Sequence, residues 1–256
     1  MHTLELTRAG AVWRLGLNRP AVRNAIDAQM LEELREVVAS LAAESPRVLV
    51  LEGAGACFSA GADLAWMRRS AELSVAENIA EARALAELFG ALDAAPCIVV
   101  ASVHGAAMGG AVGLVACADI VVAADDARFA FREVRLGLVP AVISPFVVRR
   151  IGVAAARRYF VTAESFDAHE AKRLGLVHEV VPLAELRARV DVIAGEVQKG
   201  APKAALAAKA LLRDLDSEID AARVDSTSEL IASLRCADEG QEGMRAFLEK
   251  RAPRWQ

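Results

Sequence analysis

Three short apolar runs constrain this chain more than any other feature: residues 48–51 (Val-Leu-Val-Leu), 97–103, and 120–123 behind Asp119. Each is too short to span a membrane as a helix and is bounded by turn or charged residues, the pattern of a buried strand. Helical spacing fills the gaps between them. Met30, Leu34, Val37, Val38 and Leu41 recur every three or four residues after Asp27, and Ser45-Pro46 stops that helix before the first run. Further helices are expected from Asp63 and over about 76–92, the second ended by Ala95-Pro96. The six-residue turn 105–110 leads from the second run into a short Ala/Val/Leu helix. Strand, helix, strand, glycine turn, helix, strand is an α/β layout.

The flanks fit around that centre. Residues 4–6 and 12–17 form a hairpin turned at Ala9-Gly10, and Asn18-Arg19-Pro20 breaks its second strand. Asp167 and Glu170 have capping-box spacing for a helix stopped at Gly175, and 177–181 make a short strand. From Leu183 onward the pattern is helical. Residues 1–200 are therefore expected to form the core, with 201–256 as a helical section containing helices over 203–215, 219–234 and 241–250.

Composition narrows the function. Thirty basic against thirty-four acidic residues leave a net charge of −4 without a long basic block, which argues against nucleic acid as a partner. No apolar run reaches the length of a spanning helix, and the amino terminus lacks a basic n-region and an apolar h-region, so a cytoplasmic protein that does not bind membranes is expected. Cys57, Cys97, Cys117 and Cys236 are widely spaced and are expected to be buried thiols. The four histidines form no cluster with metal-ligand spacing, so no metal site is expected. The chain is 55% apolar yet only 5% aromatic, and alanine supplies about a fifth of it.

Two loops explain part of that surplus of small side chains. Cys57-Phe58-Ser59-Ala60-Gly61-Ala62-Asp63 and 105–110 each leave a buried strand and consist largely of glycine and alanine. Small residues let backbone N–H groups approach a ligand closely. Where such a turn opens a helix, the positive end of the helix dipole adds to them, and two turns of this kind suit a developing oxyanion. Neither loop has the spacing of a dinucleotide fingerprint or a P-loop, and Ser59 is not in a nucleophile elbow.

Taken together, Asn18-Arg19-Pro20 with Asn24-Ala25, the loop 58–64, the turn 105–110 with Cys117-Ala118-Asp119-Ile120, and the segment 129–137 resemble the ordered motifs of the enoyl-CoA hydratase/isomerase (crotonase) superfamily. The match extends through 166–177 to the closing 247–251. The resemblance implies a crotonase-like (ClpP/crotonase) α/β spiral of ββα units. It also implies a C-terminal helical section that mediates trimer contacts, a homotrimer or dimer of trimers, and an acyl-CoA thioester as substrate. Coenzyme A would then be part of the substrate, with no separate cofactor.

By the same resemblance, Ala60 and Gly110 would supply the two N–H groups around the thioester oxygen. Arg23, Ala25, Ala62, Asp63 and Leu64 would lie at the nucleotide end of CoA, with Phe247 and Lys250 reaching it from the C-terminal section, its own or that of a neighbouring subunit. Asp63 also suits a helix N-cap. Of the two glutamates typical of the hydratases, only Glu133 is present; the other position is Gly113. A carboxyl set among Phe129, Phe131 and Leu136 would have its charged form disfavoured, whereas pairing with Arg132 or Arg135 would do the opposite.

One carboxylate leaves a hydratase or an isomerase open, with a non-catalytic CoA-ester or RNA-binding relative as the third possibility. Finer likeness over 58–67, 113–117 and 138–145 leans toward hydratases of branched glutaconyl-CoA thioesters, from leucine or terpene breakdown. Trp66 and Met67 would either wall the acyl pocket or pack into the core. His104, just before a tight turn, is expected to make a structural hydrogen bond, and Tyr159 and Phe160 to serve packing.

Overall fold

The computed structural model describes residues 1–214 and 221–255. Contacts divide the chain into Met1–Val192 and Ile193–Gln256.

In the first unit the chain forms a hairpin of β1 (Leu4–Ala9) and β2 (Val12–Leu17), then α1 (Ala28–Glu44), β3 (Val48–Gly53), α2 (Leu64–Ser70), α3 (Val75–Asp93) and β4 (Ile98–Val103). The short strand β5 (Ala106–Met108), α4 (Gly110–Cys117), β6 (Ile120–Ala124) and β7 (Arg128–Ala130) follow. α5 (Ser144–Thr162), β8 (Phe166–Asp167), α6 (Ala168–Arg173), β9 (Glu179–Val181) and the start of α7 (Leu186–Lys199) complete the unit. The main sheet has the order β1-β2-β3-β4-β6-β9. Only the β1–β2 pair is antiparallel; every later neighbour is parallel.

The apolar runs are the inner strands of this sheet. Val48, Leu49, Val50, Val99, Val100, Val121 and Val122 are all 0% exposed, so residues on both faces are covered, as in parallel sheets flanked by helices. Continuous rather than alternating hydrophobicity follows from that double cover. α1 lays Met30, Leu34, Val37 and Leu41 into the core, and Ala111, Ala116, Ala118, Ala123 and Ala124 are fully buried where α4 meets the strands. Helix starts follow the local chemistry. Asp27 accepts from the Met30 N–H at 2.8 Å, Asp167 from Glu170 N–H at 2.8 Å, and Ser74 forms a reciprocal capping box with Glu77.

Glu33 ties the chain's beginning to α1. Its carboxylate accepts from His2 N–H (2.8 Å), Thr3 N–H (3.0 Å) and Thr3 Oγ1 (2.8 Å). Burial by itself would raise its pKa, but these donors win and lower it to about 2.

Some elements differ from the sequence expectation. The turn 105–110 contains β5, because Ala106, Ala107 and Met108 pair with β7 and Ala107 also bridges to Ser59. Asp119 precedes β6 rather than joining it: its N–H donates to Val99 O and its Oδ2 accepts from Val99 N–H at 2.8 Å. Three cysteines are buried, but Cys236 is exposed. α5 is broken at Gly152, whose φ of 72° and ψ of 161° are not helical.

The second unit contains α8 (Pro202–Asp214), α9 (Ala221–Cys236) and α10 (Asp238–Leu248). These lie where helices were expected; the expected ends at Leu215 and Ile219 fall outside the described residues. Glu239 caps α8 by accepting from Lys203 N–H at 2.9 Å, and Trp255 Nε1 donates to Lys199 O at 3.1 Å. Among the described residues no helix is long and apolar enough to cross a membrane.

Candidate active site

The loop after β3 is shaped by polar side chains. Asn24, fully buried, donates through Nδ2 to the carbonyls of Ala54, Cys57 and Phe58 at 2.8, 2.9 and 3.1 Å, while its Oδ1 accepts from Arg19 N–H. Ser59 Oγ donates to Asn24 O at 2.7 Å and accepts from Gly61 N–H at 3.2 Å. At the loop's end Asp63 caps α2, accepting from Ala65 N–H at 2.8 Å, and is held by Arg19 Nη1 at 3.0 Å. Burial opposes the charge of Asp63, yet these bonds keep its pKa below the ordinary value. Its side chain is therefore spent on structure. Arg19 also pairs with Asp27 and donates to Ala25 O at 2.6 Å. Arg19 is visible in the sequence only as part of a motif, because its partners at Ala25, Asp27 and Asp63 come together only on folding.

The adjoining glycine turn is built from backbone. Ser59 N–H donates to Ala106 O, and Met108 N–H donates back to Ser59 O, so the two loops run side by side. Gly61 has φ of +90°, and a Cβ there would stand 2.5 Å from Met108 O. No other residue fits at that contact. Gly109, at φ of +51°, opens α4 without a side-chain cap.

One expected donor is not free. The Ala60 N–H is already given to Arg23 O at 2.9 Å, which removes it from any ligand. In the same loop the N–H of Ala62 has no partner among the described residues, since Ile26 N–H goes to Gly61 O and Asp63 N–H to Ile26 O. The Gly110 N–H is also unclaimed, whereas Gly109 N–H donates to Ala130 O. Ala62 and Gly110 thus each leave an open donor, one in each loop, where the two loops run side by side.

Glu133 opens a 3-10 turn (Glu133–Leu136) just after β7. Its Oε1 lies 3.1 Å from where a Cβ on Gly109 would be, beside the open end of α4. Its Oε2 is the one buried side-chain N or O atom without a hydrogen-bond partner among the described residues. Burial pushes its pKa up, against a smaller opposing pull from the N–H groups of Glu133 and Arg132. Neither neighbouring arginine neutralises it: Arg132 donates to Ala163 O at 3.2 Å and Ser165 Oγ at 2.7 Å, and Arg135 is exposed with no ion pair among the described residues. The expected apolar wall is only partly present. Phe129 and Phe131 are buried, with the Phe131 ring edge-on to Phe160 at 4.7 Å, but Leu136 is 56% exposed.

Packing closes the position of the missing second carboxylate. A Cβ on Gly113 would meet Ile143 Cγ2 at 2.4 Å and Phe89 Cζ at 2.9 Å. Buried apolar side chains fill the space a longer residue would need.

The other expected residues fall as follows. Arg23 is exposed, in a left-handed conformation (φ 54°), and makes no ion pair among the described residues; Ala25 is buried and Leu64 is 72% exposed. Phe247, 83% exposed, and Lys250 (φ 53°) belong to the second unit. Trp66 packs against the core and donates Nε1 to Glu81 at 3.0 Å. His104 Nε2 is 2.9 Å from Gly55 O, the structural bond expected. Tyr159 is buried and donates to Glu170 at 2.8 Å.

The family model for enoyl-CoA hydratase/isomerase matches residues 7–256. A solved structure of an enoyl-CoA hydratase from Shewanella pealeana superposes with a TM-score of 0.96 at 42% identity, covering 99% of this chain and 96% of the other. The 2,3-dehydroadipyl-CoA hydratase of Escherichia coli is 33% identical over 99% of this chain and 98% of its own. The crotonyl-CoA hydratase of Syntrophomonas wolfei is 33% identical over 93% of this chain and 91% of its own.

Proposed function

The chain belongs to the enoyl-CoA hydratase/isomerase family and has its crotonase fold, and on that premise we propose that it is an enoyl-CoA hydratase with Glu133 as its sole acid/base. The thioester carbonyl sits between the N–H groups of Ala62 and Gly110. Water oxygen bonds to the β-carbon, the π-electrons move to the thioester oxygen, and Glu133 takes a proton from the water. As the enolate collapses, Glu133 delivers a proton to the α-carbon. Each preorganised N–H contributes on the order of 3 kcal/mol to stabilising the enolate oxygen. Glu133's raised pKa suits a group that must both accept and return a proton near neutrality.

The observation that carries this reading is the unsatisfied Oε2 of Glu133, whose carboxyl packs against Gly109, taken with the unclaimed N–H groups of Ala62 and Gly110 in the two paired loops. With glycine at position 113 and buried side chains packed against it, Glu133 serves both transfers in this reading. The same observation keeps an isomerase as the second reading. The acyl group we propose is a branched glutaconyl chain: Leu138 and Val139, 56% and 67% exposed after Glu133, offer apolar contact, and Arg135 offers a cation to a distal carboxylate. Arg23 serves the nucleotide end of CoA, Phe247 and Lys250 are supplied to that end by a neighbouring subunit, and the protein assembles as a homotrimer or dimer of trimers, which sedimentation would test.

Turnover of 2-enoyl and 3-enoyl thioesters in isotopically labelled water decides the reaction. A hydratase places water oxygen on the β-carbon; proton exchange without oxygen incorporation would establish the isomerase instead. Glu133→Gln should lower kcat by at least about 10³ while butanoyl-CoA binds as before. Substantial residual turnover would remove Glu133 from the mechanism.

A further inference from the structure

α4 carries one of the two open donors at its N-terminus, and its other end is also occupied. Arg150, from α5, donates Nε to Ala116 O at 3.1 Å and Nη2 to Ala118 O. Ala116 O is an orphan carbonyl of the last turn of α4, and Ala118 is its C-cap residue. Residues 111–117 are all buried, so little water screens one end of the helix from the other. Eight residues at about 1.5 Å each separate the guanidinium from Gly110 by about 12 Å of helix. Burial works against the charge of Arg150, and Asp119 works to keep it. Arg149, next in sequence, turns elsewhere and pairs with Asp93.

We propose that Arg150 is a positioning residue for the oxyanion donor: it holds α4 by its C-terminal carbonyls and raises the positive potential at the Gly110 N–H. A cation at a helix C-terminus offsets the negative end of the dipole. What remains at the other end is a more positive N–H, and Gly109, having no side chain, leaves that N–H uncapped. The role rests on the thioester oxygen binding at Gly110, as proposed above.

The test is the carbonyl stretch of bound butanoyl-CoA, 13C-labelled at the carbonyl, which cannot be hydrated, together with kcat and KM for an enoyl thioester. Arg150→Met should lower kcat about tenfold, leave KM within about twofold and lose part of the red shift that binding imposes on the carbonyl. Arg150→Lys, which keeps the charge but not the fork, should give an intermediate shift, and Arg149→Met should leave the shift unchanged. If Arg150→Met does not fold, the Lys variant decides. A wild-type shift in a folded Met variant, or in the Lys variant where Met fails, overturns the proposal. A wild type that polarises the carbonyl without hydrating any enoyl thioester would sink the hydratase reading and leave the Arg150 variants still decisive.

Discussion

Two glutamates sit in surroundings that treat the same side chain in opposite ways. Around Glu33, three donors from His2 and Thr3 and a fourth from Gln29 surround the carboxylate, and its pKa falls to about 2. Around Glu133, one oxygen has no partner among the described residues and burial raises the pKa. A satisfied carboxylate clamps structure and has no reason to change its protonation. An unsatisfied one is held where a proton can come and go.

The largest test of this contrast is kinetic. Glu133→Gln should abolish turnover as described, whereas Glu33→Gln should leave kcat within about twofold, since it touches neither loop nor α4. Comparable losses in both would mean that Glu133 acts through stability. Backbone groups extend the comparison. Replacing the Ala62 amide with an ester should lower kcat about 10²-fold at little cost to folding, because its N–H is unclaimed. The same replacement at Ala60 should cost about 1 kcal/mol of stability, read by urea unfolding, with kcat nearly kept. The reverse outcome would return Ala60 to the oxyanion site.

Smaller effects appear in stability against pH. Glu33→Gln should destabilise by about 2 kcal/mol at neutral pH. Glu33's folded pKa lies below its ordinary 4.5, so its contribution is full above that value and disappears as pH falls toward 2; the two unfolding curves should converge there. Glu133 has the opposite sign. With its folded pKa above 4.5, stability is lost as pH rises through that raised value, so Glu133→Gln should unfold at a higher temperature than wild type at neutral pH. That gain should close below pH 4.5, and a destabilised Gln variant at pH 7 would mean the carboxylate is better solvated than its burial implies.

Much of the architecture is legible in sequence because it depends on local pattern. The inner strands are continuous apolar runs, and Asp27, Asp63 and Asp167 stand where helix N–H groups need acceptors. Both small-residue loops were visible for the same reason. β5 was not, because three residues make a strand only once Arg128–Ala130 lies alongside. Nor was Arg150, whose partners at Ala116 and Ala118 are more than thirty residues away.

The sequence by itself determined the α/β layout, the family and the presence of a single candidate carboxylate, since those follow from residue types in order. Only the tertiary structure decided which N–H groups are open, because Ala60 gives its own to Arg23 and Ala62 does not. It also decided that Glu133 keeps an unpaired oxygen, because Arg132 turns to Ala163 and Ser165. The emptiness of position 113 is likewise enforced from a distance, by Phe89 and Ile143 packed where a side chain would go. Composition and spacing say which groups exist. Which of them are already satisfied depends on partners brought together by folding, and the groups left over are the ones available for chemistry.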